Sequence, residues 1–301
     1  MCLKPPATHP LLDSRIAKAF FALLIAILLA MAGPVCALPD TVTFASKDYK
    51  TTLSAYLFKP AAPAPWPAVV MLHGRGGPYS SLASSVARGR YDATTLSARH
   101  RDWGEFWAAR GYAALLVDSF GPRGFPGGFA IHSYDERPSE VSEQKIRPLD
   151  AYAALAYLRS RDDIAPERIG LQGWSNGAMT VLAALGPRPP GFDLPSTKTA
   201  FRAALALYPG CRAQRNTGWL PYAPLVIMVG SRDEEVSPTV CRRVAEYVSA
   251  RVNNSFEFVW YEGAVHSFDD PGRQRQAVPA NRAATADAKK RAEAFFAREL
   301  K

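Results

Sequence analysis

The chain has 301 residues, 48% of them hydrophobic and 21% charged, with 25 Pro and 21 Gly. That composition excludes a disordered chain, a collagen-like repeat and a disulfide-dense miniprotein. The formal net charge is +9, but the excess is mostly arginine spread along the chain, and no basic run interleaved with aromatics points to a nucleic-acid partner.

At the N-terminus, Arg15 and Lys18 precede an apolar run from Ala19 to Ala32, followed by Gly33-Pro34 and Val35-Cys36-Ala37. This order of charged, apolar and small residues predicts a secretory signal peptide, residues 1–37, cleaved after Ala37. The apolar run is short for the ~30 Å of a bilayer core, so no stable membrane anchor is expected after cleavage. The protein is expected to be exported, to a periplasm or the medium. Losing Lys4, Asp13, Arg15 and Lys18 leaves the mature chain at +7, with Cys211 and Cys241 as its only cysteines. Two cysteines in an exported protein predict one disulfide between them.

Residues 38–301 are expected to form one domain. Apolar runs predict strands at Thr41–Ala45, Leu53–Phe58, Ala68–Leu72, Ala113–Asp118, Ile169–Gln172, Ala203–Tyr208, Leu225–Val229 and Phe256–Tyr261. Helical patterns fall at Trp103–Arg110, Leu149–Ser160, Asn176–Leu185, Pro238–Arg251 and Arg282–Leu300. Two early strands followed by strand–helix alternation give an α/β class with a mostly parallel, eight-stranded sheet covered on both faces. Two long connections, Gly74–Asp102 and Ser119–Arg147, leave strands at the carboxyl edge, where ligands bind in open α/β sheets, and are expected to wall a pocket.

Gly173-Trp174-Ser175-Asn176-Gly177 follows the fifth strand and opens a helix. A strand–turn–helix elbow of this kind projects its central residue into a pocket, and flanking glycines let the turn tighten. Ser175 is therefore the expected nucleophile. A serine hydroxyl needs a base to take its proton, and His266 is the only histidine that follows Ser175. The acid should lie between them at a strand end. Asp233, just past Leu225–Val229, is favoured over its neighbours Glu234 and Glu235. The expected oxyanion donors are the backbone N–H groups of Asn176 and Arg75, the latter in the turn His73-Gly74-Arg75-Gly76-Gly77. His73 is expected to be structural. Trp174, Phe120, Phe125, Trp219 and Tyr222 are open to two readings, as pocket lining or as core.

With these residues in place, the chain resembles the dienelactone hydrolase family of α/β-hydrolases over nearly all of its mature length. The resemblance rests on the His73-Gly74 turn, Asp118 to Gly124 (DSFGPRG), Arg147 with Asp150, Gly173–Gly177, Asp233 and His266-Ser267-Phe268. Tyr208-Pro209-Gly210-Cys211 with Cys241 is similar to an exported branch. The resemblance implies hydrolysis of a small-molecule lactone or carboxylic ester through an acyl-enzyme, with no metal and no cofactor. Two positions depart from the family pattern. Ser175 stands where the best-known members carry cysteine, and Asp270 stands where they carry a substrate-binding arginine, four residues after the histidine. The implied activity is accordingly that of a general carboxylesterase. The alternatives are a peptidase or acyl-peptide hydrolase, and a non-catalytic hydrolase-fold binding protein.

Overall fold

A computed structural model describes residues 38–83, 89–187, 200–252 and 255–301. The expected signal segment, residues 1–37, lies outside the described residues. Eight strands form one sheet: β1 (Asp40–Ala45), β2 (Thr52–Phe58), β3 (Trp66–Leu72), β4 (Ala113–Asp118), β5 (Ile164–Trp174), β6 (Ala204–Leu207), β7 (Leu225–Gly230) and β8 (Phe256–Tyr261). Their spatial order is β1-β2-β4-β3-β5-β6-β7-β8. Pairing is antiparallel from β1 through β2 to β4 and parallel from there on. This is the α/β-hydrolase arrangement, built on the eight strands expected from the apolar runs.

The strands are sandwiched because their alternate side chains are apolar on both faces. On β3, Ala68, Val70 and Leu72 join one core while Val69 and Met71 join the other. The first core takes its cover from α2 (Arg147–Arg159), α3 (Asn176–Ala184) and α4 (Pro238–Ser249). The second is covered by α1 (Ala98–Ala108) and α6 (Pro279–Glu299), through Trp103, Trp107, Ala288 and Phe296. Leu38–Lys301 forms one compact unit. No helix among the described residues is long and apolar enough to cross a membrane.

Element edges differ from expectation where caps outweigh hydrophobic pattern. α1 begins five residues before Trp103 because Ser97 caps it, its hydroxyl accepting from the His100 amide. α6 begins at Pro279, whose missing N–H suits a first helical position. β5 extends back to Ile164, which pairs with Trp66 of β3, through the polar stretch Pro166–Arg168 where the β3–β5 register shifts. A short helix, α5 (Arg273–Ala277), was not signalled by any periodicity.

Candidate active site

The parallel strands end at one edge of the sheet and deliver His73, Ser175, Asp233 and His266 there, just beyond β3, β5, β7 and β8, with Asp118 as the last residue of β4. Ser175 sits between β5 and α3 with φ 51°, in the left-handed region that a serine rarely occupies. The turn is that tight because α3 must pack straight back onto the sheet. A Cβ on Gly173 would overlap the Gly177 carbonyl, and one on Gly177 would overlap the carbonyl of Leu72. The two glycines are thus a packing requirement of the elbow. Two further strained residues, Tyr208 at φ 43° and Ser267 at φ 55°, flank it.

Ser175 Oγ lies 2.9 Å from His266 Nε2, and His266 Nδ1 lies 2.7 Å from Asp233 Oδ2. A carboxylate only accepts, so Nδ1 carries the proton and Nε2 faces the hydroxyl with its lone pair. Asp233 is held by the amides of Glu235 and Val236, both at 2.9 Å from Oδ1. Its neighbours have separate tasks that the sequence did not reveal. Glu234 accepts from the His266 amide at 2.9 Å and from Arg275 at 3.2 Å. Glu235 grips the Arg75 guanidinium through two hydrogen bonds, at 2.8 and 2.9 Å, and lies 3.7 Å from His266 Nε2. Burial pushes the Glu235 carboxyl up, but Arg75 and His266 outweigh it and hold the group below the usual carboxylate range.

The backbone N–H of Asn176 opens α3, and that of Arg75 follows the β3 turn; neither finds a protein acceptor among the described residues. The arrangement brings together all five residues expected at the site. His73 stands apart from the Ser175–His266–Asp233 hydrogen-bond chain. It is fully buried, its Nδ1 bonds the Gly74 carbonyl at 2.7 Å, and its Nε2 accepts from the Ser119 amide at 3.2 Å. Burial, with the nearby Arg147 charge, pulls it well below the ordinary imidazole value, so it is a neutral strut despite standing 4.0 Å from Asp118. His100 is likewise neutral, pulled down to about 3 by burial and Arg99.

The serine opens into a cavity of about 620 Å³. Both long connections wall it, the first through Gly74–Gly77, Tyr79 and Tyr91, the second through Pro126–Ala130. The second connection is tied down by Asp118, which accepts from the Phe120 and Gly121 amides and the Tyr79 hydroxyl at 2.8–3.0 Å. Of the aromatics left open, Trp174 lines the cavity and Phe120 is buried core. Trp219 and Tyr222 belong to the core on the other face, where Trp219 donates to the Leu182 carbonyl. Phe129 lines the cavity instead.

Asp269 was missed by sequence reasoning. It is buried and accepts from Trp103 and Trp174 Nε1, at 2.8 and 2.9 Å, and from the Tyr208 hydroxyl at 2.6 Å. Trp174 precedes Ser175, and the Tyr208 ring packs 4.8 Å from His266. Cys211 and Cys241 are joined, with Cα atoms 5.0 Å apart. Among the described residues no group of three His, Cys, Asp or Glu side chains is placed to hold a metal ion.

Comparison with known proteins gives consistent results. The quorum-quenching protein AidA of Acinetobacter baumannii is 33% identical over 147 residues, 48% of this chain and 38% of AidA. The chain thus spans well under half the length of the curated relatives it matches. Among solved structures, Thermogutta terrifontis esterase 2, phosphorylated by paraoxon, superposes with a TM-score of 0.58 at 21% identity, covering 87% of this chain and 96% of the esterase. A candidate dienelactone hydrolase of Klebsiella pneumoniae superposes at 0.62 with 17% identity, covering 86% and 98%. These likenesses show a shared fold. The Dienelactone hydrolase family model matches residues 53–300, from β2 to the last residue but one, and the chain belongs to that family.

Proposed function

We propose that the protein is a serine hydrolase that cleaves a small or medium carboxylic ester or lactone through an acyl-enzyme. The observation that carries this reading is the unbroken hydrogen-bond chain Ser175–His266–Asp233, with Ser175 and His266 on the cavity wall, beside two backbone N–H groups that find no acceptor among the described residues. His266 Nε2 takes the Ser175 proton as Oγ attacks the carbonyl carbon. Asp233 keeps the imidazole in the right tautomer and stabilises the cation that forms. The carbonyl oxygen, now negative, rests on the Asn176 and Arg75 N–H groups. When the tetrahedral species collapses, His266 returns the proton to the leaving oxygen. Water, activated by the same imidazole, then releases the acid. No step needs a metal or cofactor.

The same reading takes residues 1–37 as an export signal removed after Ala37, and Cys211–Cys241 as an oxidised pair in the exported protein. The N-terminal sequence of protein recovered from the periplasm or medium tests the first. For the chemistry, a fluorophosphonate probe should label the wild type at Ser175, and Ser175→Ala should lose on the order of 10⁴–10⁶ in kcat on short-chain esters while melting like the wild type. Ester turnover near wild type in purified Ser175→Ala, or absence of labelling in folded wild type, refutes the reading. The second of these outcomes favours a binding protein.

A further inference from the structure

Arg147, at the start of α2, is fully buried. Among the described residues it makes no direct ion pair. Asp150, its neighbour on the helix, is taken by Arg123 at 2.8 and 2.9 Å, and Asp150, Glu143 and Asp118 act on Arg147 only from farther off. Its guanidinium lies against the Phe120 ring, 4.9 Å from the centroid, and Nε finds no partner among the described residues. Burial lowers it to about 10, so it remains a cation at neutral pH. A charge removed from water without a contacting counter-ion is costly. Core packing alone would be served better by an apolar side chain.

What the guanidinium does touch is specific. Nη1 donates to the side-chain oxygen of Asn176, and Nη2 donates to the His73 carbonyl at 2.8 Å. Asn176 supplies one of the two unengaged N–H groups beside Ser175, and Arg75, two residues beyond His73, supplies the other. The Asn176 amide is fixed from its other end by Glu143 at 3.1 Å. One rigid fork therefore joins the end of β3 to the start of α3, the two segments that must hold their N–H groups a fixed distance apart. The negative charge of a tetrahedral oxyanion would arise one residue away.

We propose that Arg147 is a positioning residue of the oxyanion hole: it locks the two backbone donors in register, and its charge, with no partner in contact, favours the tetrahedral oxyanion over the neutral ester. The inference rests on the serine-hydrolase reading above. Interactions stronger in the transition state than in the ground state act on kcat and leave KM in place.

The test is steady-state kinetics on a short-chain ester for wild type, Ser175→Ala, Arg147→Met, Arg147→Lys and Asn176→Asp. It is run with melting curves and the affinity of an alkylboronic acid that forms a tetrahedral adduct on the serine. Arg147→Met should lower kcat roughly 10²–10³-fold with KM within about threefold, and boronate affinity should fall in step. Arg147→Lys should recover about tenfold of that loss, since the charge returns without the fork. Asn176→Asp places a fixed carboxylate on the guanidinium. It also sets a carboxylate against Glu143 where the amide donor stood, so its Tm should fall, and the folded protein should still lose at least about tenfold in kcat. A folded Arg147→Met with wild-type kcat, or with its whole loss in KM, overturns the proposal. Should Arg147→Met not fold, wild-type kcat in Asn176→Asp overturns it instead. Ser175→Ala separates the two readings: activity surviving there refutes the hydrolase itself, whereas loss there beside wild-type kcat in Arg147→Met refutes only the role of Arg147.

Discussion

Replacing Asp269 with alanine should destabilise the protein severely, although the residue stands outside the proposed reacting groups. Its two oxygens receive two indole N–H groups and one phenol O–H, all inside the core, and Arg99 Nη1 lies 3.9 Å from Oδ1. Asp269→Ala leaves those three donors without an acceptor, each at about 1–3 kcal/mol. It also takes from Arg99 the carboxylate beside it. Water entering the vacated space recovers part of the loss, and a net cost of about 4 kcal/mol is expected. For a domain of this size that corresponds to a fall in Tm of roughly 10 °C. Activity should fall further than stability alone explains, because Trp174 precedes the nucleophile and Tyr208 packs on His266. Asp269→Asn, which keeps one acceptor oxygen in place, should lose about half as much. Calorimetric or circular-dichroism melts, with a urea titration to confirm a two-state transition, give the measurement. A Tm for Asp269→Ala within about 3 °C of wild type would show that the three hydrogen bonds carry no such load.

Acid should weaken the fold through Asp48. Burial pushes its carboxyl up, but the Lys50 and Thr51 amides and the Arg123 guanidinium more than offset this and hold it well below the usual range. A depressed folded-state value means the stabilisation is complete above the unfolded value of about 4 and is lost as pH falls below it. The urea-midpoint gap between wild type and Asp48→Asn should therefore narrow from pH 7 to pH 2; a constant gap contradicts the assignment. Reducing the Cys211–Cys241 bridge, which closes 30 residues, should cost about 3–4 kcal/mol in the chain-entropy model. Two thiols titrating in native, unreduced exported protein would remove that expectation. Two glycine substitutions should part company. Gly177→Ala drives a methyl into the Leu72 carbonyl and should cost about 3 kcal/mol or more, whereas Gly210→Ala overlaps just the flexible end of Met179, with Val236 at ordinary contact, and should cost under about 1.5 kcal/mol. Equal melting temperatures for the two variants would refute the packing account of the elbow.

The strands, their order along the chain and the elbow were legible in the sequence because each is a local device. An apolar run that is buried on both faces declares a central parallel strand, and glycines at 173 and 177 declare a turn too tight for side chains. His266 followed from chain order alone, and Asp233 from its place one turn beyond a buried strand. Helix edges were less visible wherever a cap or a proline set them, as at Ser97 and Pro279. Only the tertiary structure decided which charged side chains serve the site. Glu234 and Glu235 read alike in sequence, yet one holds the His266 amide and the other neutralises Arg75. Arg147 reaches His73 across 74 residues of chain, and Asp269 reaches Trp103 across 166. Trp174 and Trp219 were equally eligible for the pocket, and one lines it while the other lies under the opposite face. Local pattern fixes how the backbone turns, whereas the partner of a buried polar group depends on which strand ends the whole sheet brings within 3 Å, and no single segment of the chain carries that information.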